Sequence, residues 1–304
     1  MRNKRELVII HVDAFSEVPF GGNPASVVLC GKGIPEEDMQ KIATELNVRE
    51  TVFVMSSKVA DHRFRYMSPK GEIGFSSHAT IAAFHALLSE GLVEAYNDVT
   101  MATLETESGV LQVDIVKNDT TGTHEVQITH EQPAFLATYD PKEYAEALGL
   151  SLADILSPNP IQTVNTGAPC LVIPLTTRRA LHRIDCDWKR LAYLQKDSDY
   201  NTISVFTRET HEETSDAEVR HFAPAHGVLE DPVGGIAAGS VASYMIRHGL
   251  MDASVPVTSI VIEQGHSVGR PGRAFVEVTG DRDAIKLVKV SGTGVVVFRG
   301  TIFY

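Results

Sequence analysis

The chain has 304 residues, 43% of them hydrophobic and 22% charged, a balance typical of a globular protein of about two domains. Its formal net charge of −12 argues against non-specific binding to nucleic acid or to an anionic membrane surface. An acidic surface still allows a local cationic pocket, so an anionic substrate stays open.

The predicted elements alternate many strands with few helices. In the first half, Pro35 and the acidic residues after it predict a helix start, and strands are predicted at 7–15, 25–30, 48–55, 63–67, 110–116 and 125–129. In the second half, helices are predicted at 141–148 and 187–195, a short one begins at Ser151, and strands are predicted at 170–174, 202–207, 219–223, 257–263, 274–278, 285–290 and 295–303. This pattern predicts an α+β fold. We place the domains at 1–130 and 131–304, with the last strand, about 295–304, free to pack back on the first.

A sequence pattern at 72–92 recurs 158 positions later, at 230–250. Each copy has an acidic residue, a tight turn of small residues and an apolar helix, predicted near 77–90 and 235–248. Each helix ends at a Gly placed where a left-handed capping residue would sit. Helices apolar nearly all round should be buried, which predicts two similar domains, each built around one helix. If the domains face each other, both helix starts could offer N–H groups to one anion. The repeat alone equally allows an old duplication with only structural meaning.

The cysteines and the N-terminal stretch favour a reducing cytosol. Cys30, Cys170 and Cys186 form no CxxC pair, which argues against a disulfide framework and a structural zinc site. The apolar run before His11 is too short for a signal peptide, and no later stretch reaches membrane-spanning length. We therefore expect a cytoplasmic protein with no membrane partner.

Motifs for cofactors and metals are missing from the sequence. Gly234 and Gly235 precede a helix without the GxGxxG spacing, and no GxSxG elbow is present. His78 and His85 are seven positions apart on one predicted helix, too far for shared ligation. His221 and His226 flank a Pro turn that we expect near the surface. The sequence thus predicts no cofactor and no metal.

Four features remain as candidates for chemistry: Glu50, His78, Asp231 and the turn at Asn23. Each has a structural explanation of its own, namely a strand-end acid, a helix cap, a turn former and a plain loop. Together they suggest a site, because two of them sit at the paired helix starts.

Six stretches, in order along nearly the whole chain, carry a resemblance to a known family. They are VDAFSEVPFGGNPASVVL (12–29), RETVFV (49–54), EIGFSSHATIAAF (72–84), NTGAPCLVIPL (165–175), FAPAHGVLEDPVGGIAAG (222–239) and GRPG (269–272). The combination resembles the PhzF-like phenazine-biosynthesis isomerases, which are related in fold to diaminopimelate epimerase. The resemblance implies two similar domains, each a barrel-like, mostly antiparallel sheet around a central helix, with the active site between them.

The resemblance also implies a cofactor-independent isomerase that moves a proton between carbons of a small carboxylated substrate. Glu50 matches the family's catalytic carboxylate and general acid/base, and His78 and Asp231 match its other catalytic residues. Burial should raise the pKa of Glu50 so that it exchanges a proton near neutrality. Substrate-binding positions are implied at Asn23, Ser77, Gly234, Gly235 and Ile236, where backbone N–H groups at the helix starts would hold a carboxylate or an enolate-like charge.

Three positions depart from the usual family pattern. Arg49 stands in place of a Ser, Ser77 in place of a Gly, and Ile236 in place of a hydroxyl residue at the second helix start. The second side of the pocket should therefore be more apolar, and we expect a small acid other than the phenazine-pathway substrate.

Two alternative functions stay open. The related epimerases and racemases use one cysteine at each helix start as paired acid and base, but here those positions hold Ser77 and Gly235. The chain could also be a noncatalytic small-acid-binding or interaction protein that keeps the fold. Solvent-deuterium uptake into a substrate separates an enzyme from a binding protein. A homodimer is also left open.

Because no metal-ligand spacing or nucleotide fingerprint is present, activity should survive exhaustive chelation. We expect turnover of a responsive substrate to be the same before and after treatment with EDTA, without added nucleotide. Loss of turnover that one metal restores would contradict this prediction.

Overall fold

The structure, a computed structural model, describes residues 5–118, 122–224, 227–254 and 256–304. The chain divides into two compact units, one formed by Met1–Ile128 with Ser291–Tyr304 and the other by Thr129–Val290. Strands and helices occur in both, which confirms the predicted α+β class. In the described ranges no helix has the length and apolar character needed to cross a membrane.

The elements are numbered in chain order. Across the described ranges the α-helices are α1 Glu36–Leu46, α2 Ser77–Ser89, α3 Pro141–Ala147, α4 Arg178–His182, α5 Trp188–Gln195 and α6 Gly235–Arg247. The strands are β1 Glu6–Ala14, β2 Asn23–Gly31, β3 Glu50–Met55, β4 His62–Ser68, β5 Gly71–Ile73, β6 Val99–Thr106, β7 Gly109–Lys117, β8 His124–His130, β9 Ala134–Tyr139, β10 Ile161–Asn165, β11 Pro169–Pro174, β12 Thr202–Thr207, β13 Ala217–Ala223, β14 Val228–Asp231, β15 Val257–Gln264, β16 Gly272–Gly280, β17 Ile285–Gly292 and β18 Gly294–Phe303. Short 3₁₀ turns lie at Leu152–Asp154 and His266–Val268.

The first unit is a mostly antiparallel sheet that packs on α2. The strands β18, β1 and β2 pair antiparallel, and β2 pairs parallel with β3. Next, β4 pairs antiparallel with β3 and β5 and parallel with β6, and β6, β7 and β8 continue antiparallel. The helix α2 packs against β1, β2, β3 and β18, so it is enclosed by strands from both ends of the chain.

The second unit repeats this topology. The strands β9, β10 and β11 pair antiparallel, β11 pairs parallel with β12, and β12 pairs antiparallel with β13. Then β13 pairs antiparallel with β14 and parallel with β15, which continues antiparallel with β16. The helix α6 packs against β10, β11, β12, β13, β15 and β16. The parallel pairs β2–β3 and β4–β6 of the first unit correspond to β11–β12 and β13–β15 of the second. This correspondence confirms the prediction of two similar domains.

The two central helices match in length and in the way they end. Both contain 13 residues and begin 158 positions apart. Gly91 and Gly249 follow them in the left-handed region, with φ of 64° and 68°. The next residue in each case donates its N–H to a carbonyl five positions earlier, at 2.9 Å. These bonds satisfy helix-end carbonyls that have no partner inside the helix.

Close packing around the central helices depends on glycine at three positions. A Cβ added to Gly294 would lie 2.6 Å from the ring of His85 on α2, and one added to Gly292 would lie 2.4 Å from the ring of Phe15. In the second unit the glycine that allows the close approach is on the helix itself. A Cβ added to Gly239 would lie 3.2 Å from Nδ1 of His130. Strand and helix thus approach each other at a buried histidine in both units.

A bidentate ion pair ties a short strand to its neighbour in each unit. Arg65 on β4 donates from Nε to Glu72 on β5 at 2.6 Å, and a second guanidinium nitrogen contacts the other carboxylate oxygen. Arg220 on β13 makes the same pair of contacts with Glu230 on β14, at 2.9 and 2.7 Å. Both strands lead directly into a central helix, so these pairs help to fix the helix starts.

Several elements differ from the prediction. The strands β5, β6, β9, β10 and β14 and the helix α4 were not predicted; β5 and β14 are too short to show any periodicity. His221, expected near the surface, is only 4% exposed because β13 is paired on both sides, and its Nδ1 lies 2.8 Å from Oγ of Ser204. His226 lies outside the described residues.

The buried histidines should make stability depend on pH. Burial lowers the pKa of both His85 and His130 from 6.5 to about 4, so the unfolded chain binds protons more readily than the folded one. Their contribution is complete above about pH 6.5 and is lost as the pH falls toward 4. We expect each to account for about 2 kcal/mol of the unfolding free energy lost between pH 7 and pH 5. Urea denaturation of His85→Gln and His130→Gln should show a shallower pH dependence than the parent protein, and an unchanged dependence in both variants would contradict the prediction.

Candidate active site

Glu50 is a buried carboxylate at the beginning of β3. It pairs with Ala25 on the parallel strand β2, and its residue is 6% exposed. Every residue of β3 is buried, and Glu50, its first residue, is buried like the residues that follow it. A buried carboxylate requires compensating partners, since desolvating the charge is costly.

His78 supplies the nearest partner. It is the second residue of α2, it is 4% exposed, and its Nε2 lies 2.7 Å from Oε2 of Glu50. Its Nδ1 lies 3.2 Å from the hydroxyl of Ser76, which also caps α2 by accepting the N–H of Ala79. The imidazole is therefore held between the helix cap and the carboxylate.

The contact between Glu50 and His78 is close but poorly directed. Neither Oε2 of Glu50 nor Nε2 of His78 has a partner with hydrogen-bond geometry, although the two atoms face each other in a buried place. Two such atoms can reorient toward an incoming polar group with little loss of existing bonding. This arrangement suits a binding or proton-transfer site better than a structural ion pair.

Arg49 is a second partner of the acid, at a position that departs from the family pattern and had no predicted role. Its Nε donates to Oε1 of Glu50 at 3.3 Å, and its side chain is 29% exposed while that of Glu50 is 9% exposed. The guanidinium thus connects the buried acid to the protein surface. The sequence signal for this contact is a basic residue directly before the acid at the start of the strand.

The pKa of Glu50 departs from the expected direction. Burial raises the pKa of this carboxyl, as the sequence analysis expected, but the charges and contacts of His78 and Arg49 together outweigh burial. The net pKa lies below the ordinary value for a glutamate. The expectation of a raised pKa was therefore wrong, because the contacts of His78 and Arg49 with the acid outweigh burial. Glu50 is ionised at neutral pH in this state.

Asn23 and Ser77 lie near this pair in the fold of the first unit. Asn23 is the first residue of β2, is 1% exposed and lies two residues before the strand partner of Glu50. Ser77 is the first residue of α2 and is partly exposed. The N–H groups of Ser77 and His78 belong to the first turn and have no carbonyl partner inside the helix.

Asp231 and the remaining predicted residues lie together in the second unit. Asp231 ends β14, is 5% exposed, and its carbonyl accepts a 2.8 Å hydrogen bond from the side chain of Gln264. Gly234 is the N-cap of α6, and a Cβ added to it would lie 3.3 Å from Oδ2 of Asp231. The carboxylate is thus close to the positive end of α6. Gly235 is buried and Ile236 partly exposed in the first turn.

The chemistry differs between the two copies of the topology. The strand register that places Glu50 opposite Ala25 places Thr202 opposite Cys170 in the second unit. The helix position of His78 corresponds to Ile236. The structure thus brings Glu50, His78 and Arg49 together in one unit, and the equivalent acid and histidine positions of the other unit have no ionisable side chain.

Metal-binding clusters and activated thiols are not features of the described residues. No group of three or more His, Cys, Asp or Glu side chains within the described ranges could hold a metal ion. The three cysteines are free, and burial raises the pKa of Cys30 to about 11 and that of Cys186 to about 12. Burial also raises the pKa of Cys170.

Comparison with known proteins places the chain in a family. The family described as phenazine biosynthesis-like protein, PhzC-PhzF, matches residues 12–300, and the chain belongs to this family. An uncharacterized isomerase of Bacillus subtilis is 33% identical, with 98% of each chain covered. A trans-2,3-dihydro-3-hydroxyanthranilate isomerase of Pseudomonas fluorescens is 30% identical, with 96% of this chain and 97% of that protein covered. These relatives confirm the prediction that the chain is an enzyme of the isomerase class.

Solved structures support the same assignment. The crystal structure of a PhzF-family phenazine biosynthesis protein of Bacillus anthracis is similar with a TM-score of 0.89 and 31% identity, and 98% of this chain and 99% of that chain are covered. A hydroxyproline epimerase of Agrobacterium vitis has a TM-score of 0.58 at 14% identity, with 100% of this chain and 92% of that chain covered. The second likeness concerns the fold alone, and it agrees with the predicted epimerase-like architecture.

The low pKa of Glu50 can be measured directly. We expect ¹³C NMR titration to show its carboxyl titrating at a lower pH than an ordinary glutamate, because His78 and Arg49 stabilise the charged form. Arg49→Ser should move the titration to higher pH. Arg63→Ser serves as a matched control, since Arg63 lies beside Glu105 instead, at 3.5 Å. A titration midpoint that Arg49→Ser leaves in place would show that the guanidinium does not act on the acid.

Proposed function

We propose that this member of the PhzC-PhzF family is a cofactor-independent isomerase that moves a proton between two carbons of a small carboxylated substrate, with Glu50 as general acid and base. The observation that carries the proposal is the buried contact between Glu50 and His78, 2.7 Å apart at the start of a central helix. It supplies an ionised carboxylate and a proton-bearing ring in one desolvated place.

Glu50 begins the reaction as a base. Because its pKa is low in the unliganded protein, it is a carboxylate at neutral pH and can accept a proton from a substrate carbon. The C–H bond breaks, its electron pair is delocalised toward the substrate's carboxylate or an adjoining double bond, and the proton bonds to Glu50. Protonated Glu50 then gives the proton to a second carbon, which restores the carboxylate and balances the reaction.

Arg49 offers a way to adjust the acid during turnover. A carboxylate base with a low pKa is a weak base, so rapid proton abstraction needs a higher pKa once substrate is bound. The partly exposed Arg49 could exchange its contact with Glu50 for one with the substrate carboxylate. The loss of this cation would raise the pKa of Glu50, so substrate binding itself would prepare the base.

Backbone groups at the helix starts are suited to developing negative charge. The first-turn N–H groups of Ser77 and His78 in α2, and of Gly235 and Ile236 in α6, lack carbonyl partners within their helices. Such donors favour a carboxylate or an enolate-like oxygen over a neutral group. We assign them to substrate binding, together with Asn23 and the N-cap Gly234.

His78 and Asp231 complete the proposed catalytic set. His78 is positioned by Ser76 on one side and Glu50 on the other, so it can orient the acid or carry a second proton. Asp231 lies by the start of α6, beside the N-cap Gly234. We propose that it orients substrate or handles a second proton.

The substrate class follows from the helix starts and from one relative. The Pseudomonas fluorescens relative is named for a dihydro-hydroxyanthranilate, a ring carboxylic acid. This chain has Ile236 in the first turn of α6, which offers no hydroxyl to a substrate. We therefore propose that the substrate is a small carboxylic acid, and that the part of it next to Ile236 is less polar. We also propose that the enzyme is cytoplasmic and forms a homodimer.

The thiol alternative has little physical support. A racemase of the two-cysteine type needs thiolates at the two helix starts, and Ser77 and Gly235 occupy these positions. Burial raises the pKa values of Cys30, Cys170 and Cys186, so each thiol resists ionisation. The noncatalytic alternative loses support as well, because relatives of this family member are named isomerases.

Replacement of Glu50 by Gln tests the proposal. We expect Glu50→Gln to lower kcat by about 10²–10⁴ and to abolish deuterium incorporation from solvent, because the amide keeps the shape but cannot accept the proton. Folding should change little, which circular dichroism and thermal unfolding can verify. The assay is kcat and solvent-deuterium uptake on a panel of small unsaturated carboxylic acids.

A variant with all three cysteines replaced by Ser or Ala is the matched control, and it should keep its activity. Normal turnover by Glu50→Gln, combined with an inactive cysteine-free protein, would require a thiol mechanism. Tight binding of an acid without any deuterium uptake by the parent protein would instead favour the noncatalytic alternative.

A further inference from the structure

A pocket of about 420 Å³ lies in the second unit and includes none of the residues proposed for catalysis. It is lined by Arg178, Arg179, His182, Glu209 and His211. A volume of this size accommodates a small organic molecule. Its composition contrasts with the chain as a whole, whose net charge is −12.

The lining has two guanidinium groups and one carboxylate, while the buried carboxylates of Glu218 and Glu263 contact its two histidines from outside the lining. Two guanidinium groups face one carboxylate, and Glu209 is already engaged as the acceptor of the Arg178 backbone N–H at 2.8 Å. Arg178 donates one guanidinium N–H to the carbonyl of Thr210 at 3.1 Å. Arg179 has no ion pair among the described residues and is exposed, so its guanidinium is uncommitted.

His182 is held in place by a buried acid. Its Nε2 lies 2.7 Å from Oε1 of Glu218, whose side chain is only 2% exposed. The other oxygen of Glu218 has no hydrogen-bond partner, and His182 is its one ion-pair partner in the described part of the chain. A carboxylate this deeply buried needs a polar partner, because an uncompensated charge there is costly, and His182 supplies one. The contact therefore fixes the imidazole at the pocket wall.

The pocket is formed in advance of any ligand. Thr177 caps α4 by accepting the N–H of Ala180, and Ala180 and Leu181 are buried in the core. Arg220 donates to the carbonyls of Leu181 and Ile184, at 3.1 and 3.2 Å, and so fixes the end of the same helix. The ring of His211 contacts Arg178 at 3.4 Å, and its backbone N–H is held by the carboxylate of Glu263, which is 1% exposed.

We infer that this pocket is a second ligand site, which binds the phosphate group of a small phosphorylated molecule. Two guanidinium groups and two imidazole rings around one space offer more donors than a single carboxylate can use, and they match a dianion with three acceptor oxygens. The inference is independent of the proposed function, because the residues that form the pocket are separate in sequence and chemistry from Glu50, His78 and Asp231.

Inorganic phosphate is the probe for this site. We expect the full-length protein to broaden the ³¹P NMR signal of phosphate in a saturable way at constant ionic strength. Arg179→Gln should weaken this binding at least about tenfold, since a charge-assisted hydrogen bond is lost. Arg183→Gln is the matched control and should bind as the parent does, because Arg183 pairs with Asp154 at 2.8 Å and does not line the pocket.

Two further variants make the test decisive. Glu50→Gln should keep phosphate binding, which separates this site from the proposed active site. The double variant Arg178→Gln, Arg179→Gln should bind no phosphate. The inference is overturned if the parent protein shows no saturable binding, if the double variant binds normally, or if Arg183→Gln weakens binding as much as Arg179→Gln does.

Discussion

Each unit depends on a helix of 13 residues enclosed by its own sheet. A helix in this position can have few large side chains, because backbone strands must approach it closely from several directions. Alanine, serine and glycine make up about half of the two helices, and Gly292 and Gly294 stand on strands where a side chain would collide with a ring. The first turn of each helix is only partly covered, with Ser77 and Ile236 partly exposed, and its unpaired N–H groups attract anions.

The two units use one topology for different chemical purposes. In the first, an acid and a histidine lie where the parallel strand pair meets the helix start; in the second, Thr202 and Ile236 take these places. The fold gives both units the backbone donors, while the ionisable pair depends on two side chains. Loss or gain of chemistry at such a position requires no change in strand pairing, which explains how one architecture serves isomerases and epimerases with unlike residues.

Local sequence signals located the central helices to within one or two residues, because the turn before each helix and the glycine after it act over a few positions. The strands β5 and β14 could not be predicted, since three or four residues carry no periodicity and their placement depends on an arginine of another strand. Glu50 and His78 were candidates before the family resemblance, which supplied only their proposed roles, and these roles stay predictions. The sign of the Glu50 pKa shift could not be predicted, because it depends on distances to His78 and Arg49.

The pairing of β18 with β1 has a consequence for the order in which the protein is built. The second unit is one continuous stretch, Thr129–Val290, so a ribosome delivers all of it before the last strand of the first unit exists. The first unit needs Ser291–Tyr304 to cover one side of α2. This segment pairs with β1 but is separated from the rest of the unit in sequence by the whole second unit. Such a long closure is entropically slow. During synthesis the unit with Glu50 is thus the later of the two to be completed, and its apolar helix stays partly uncovered until β18 emerges.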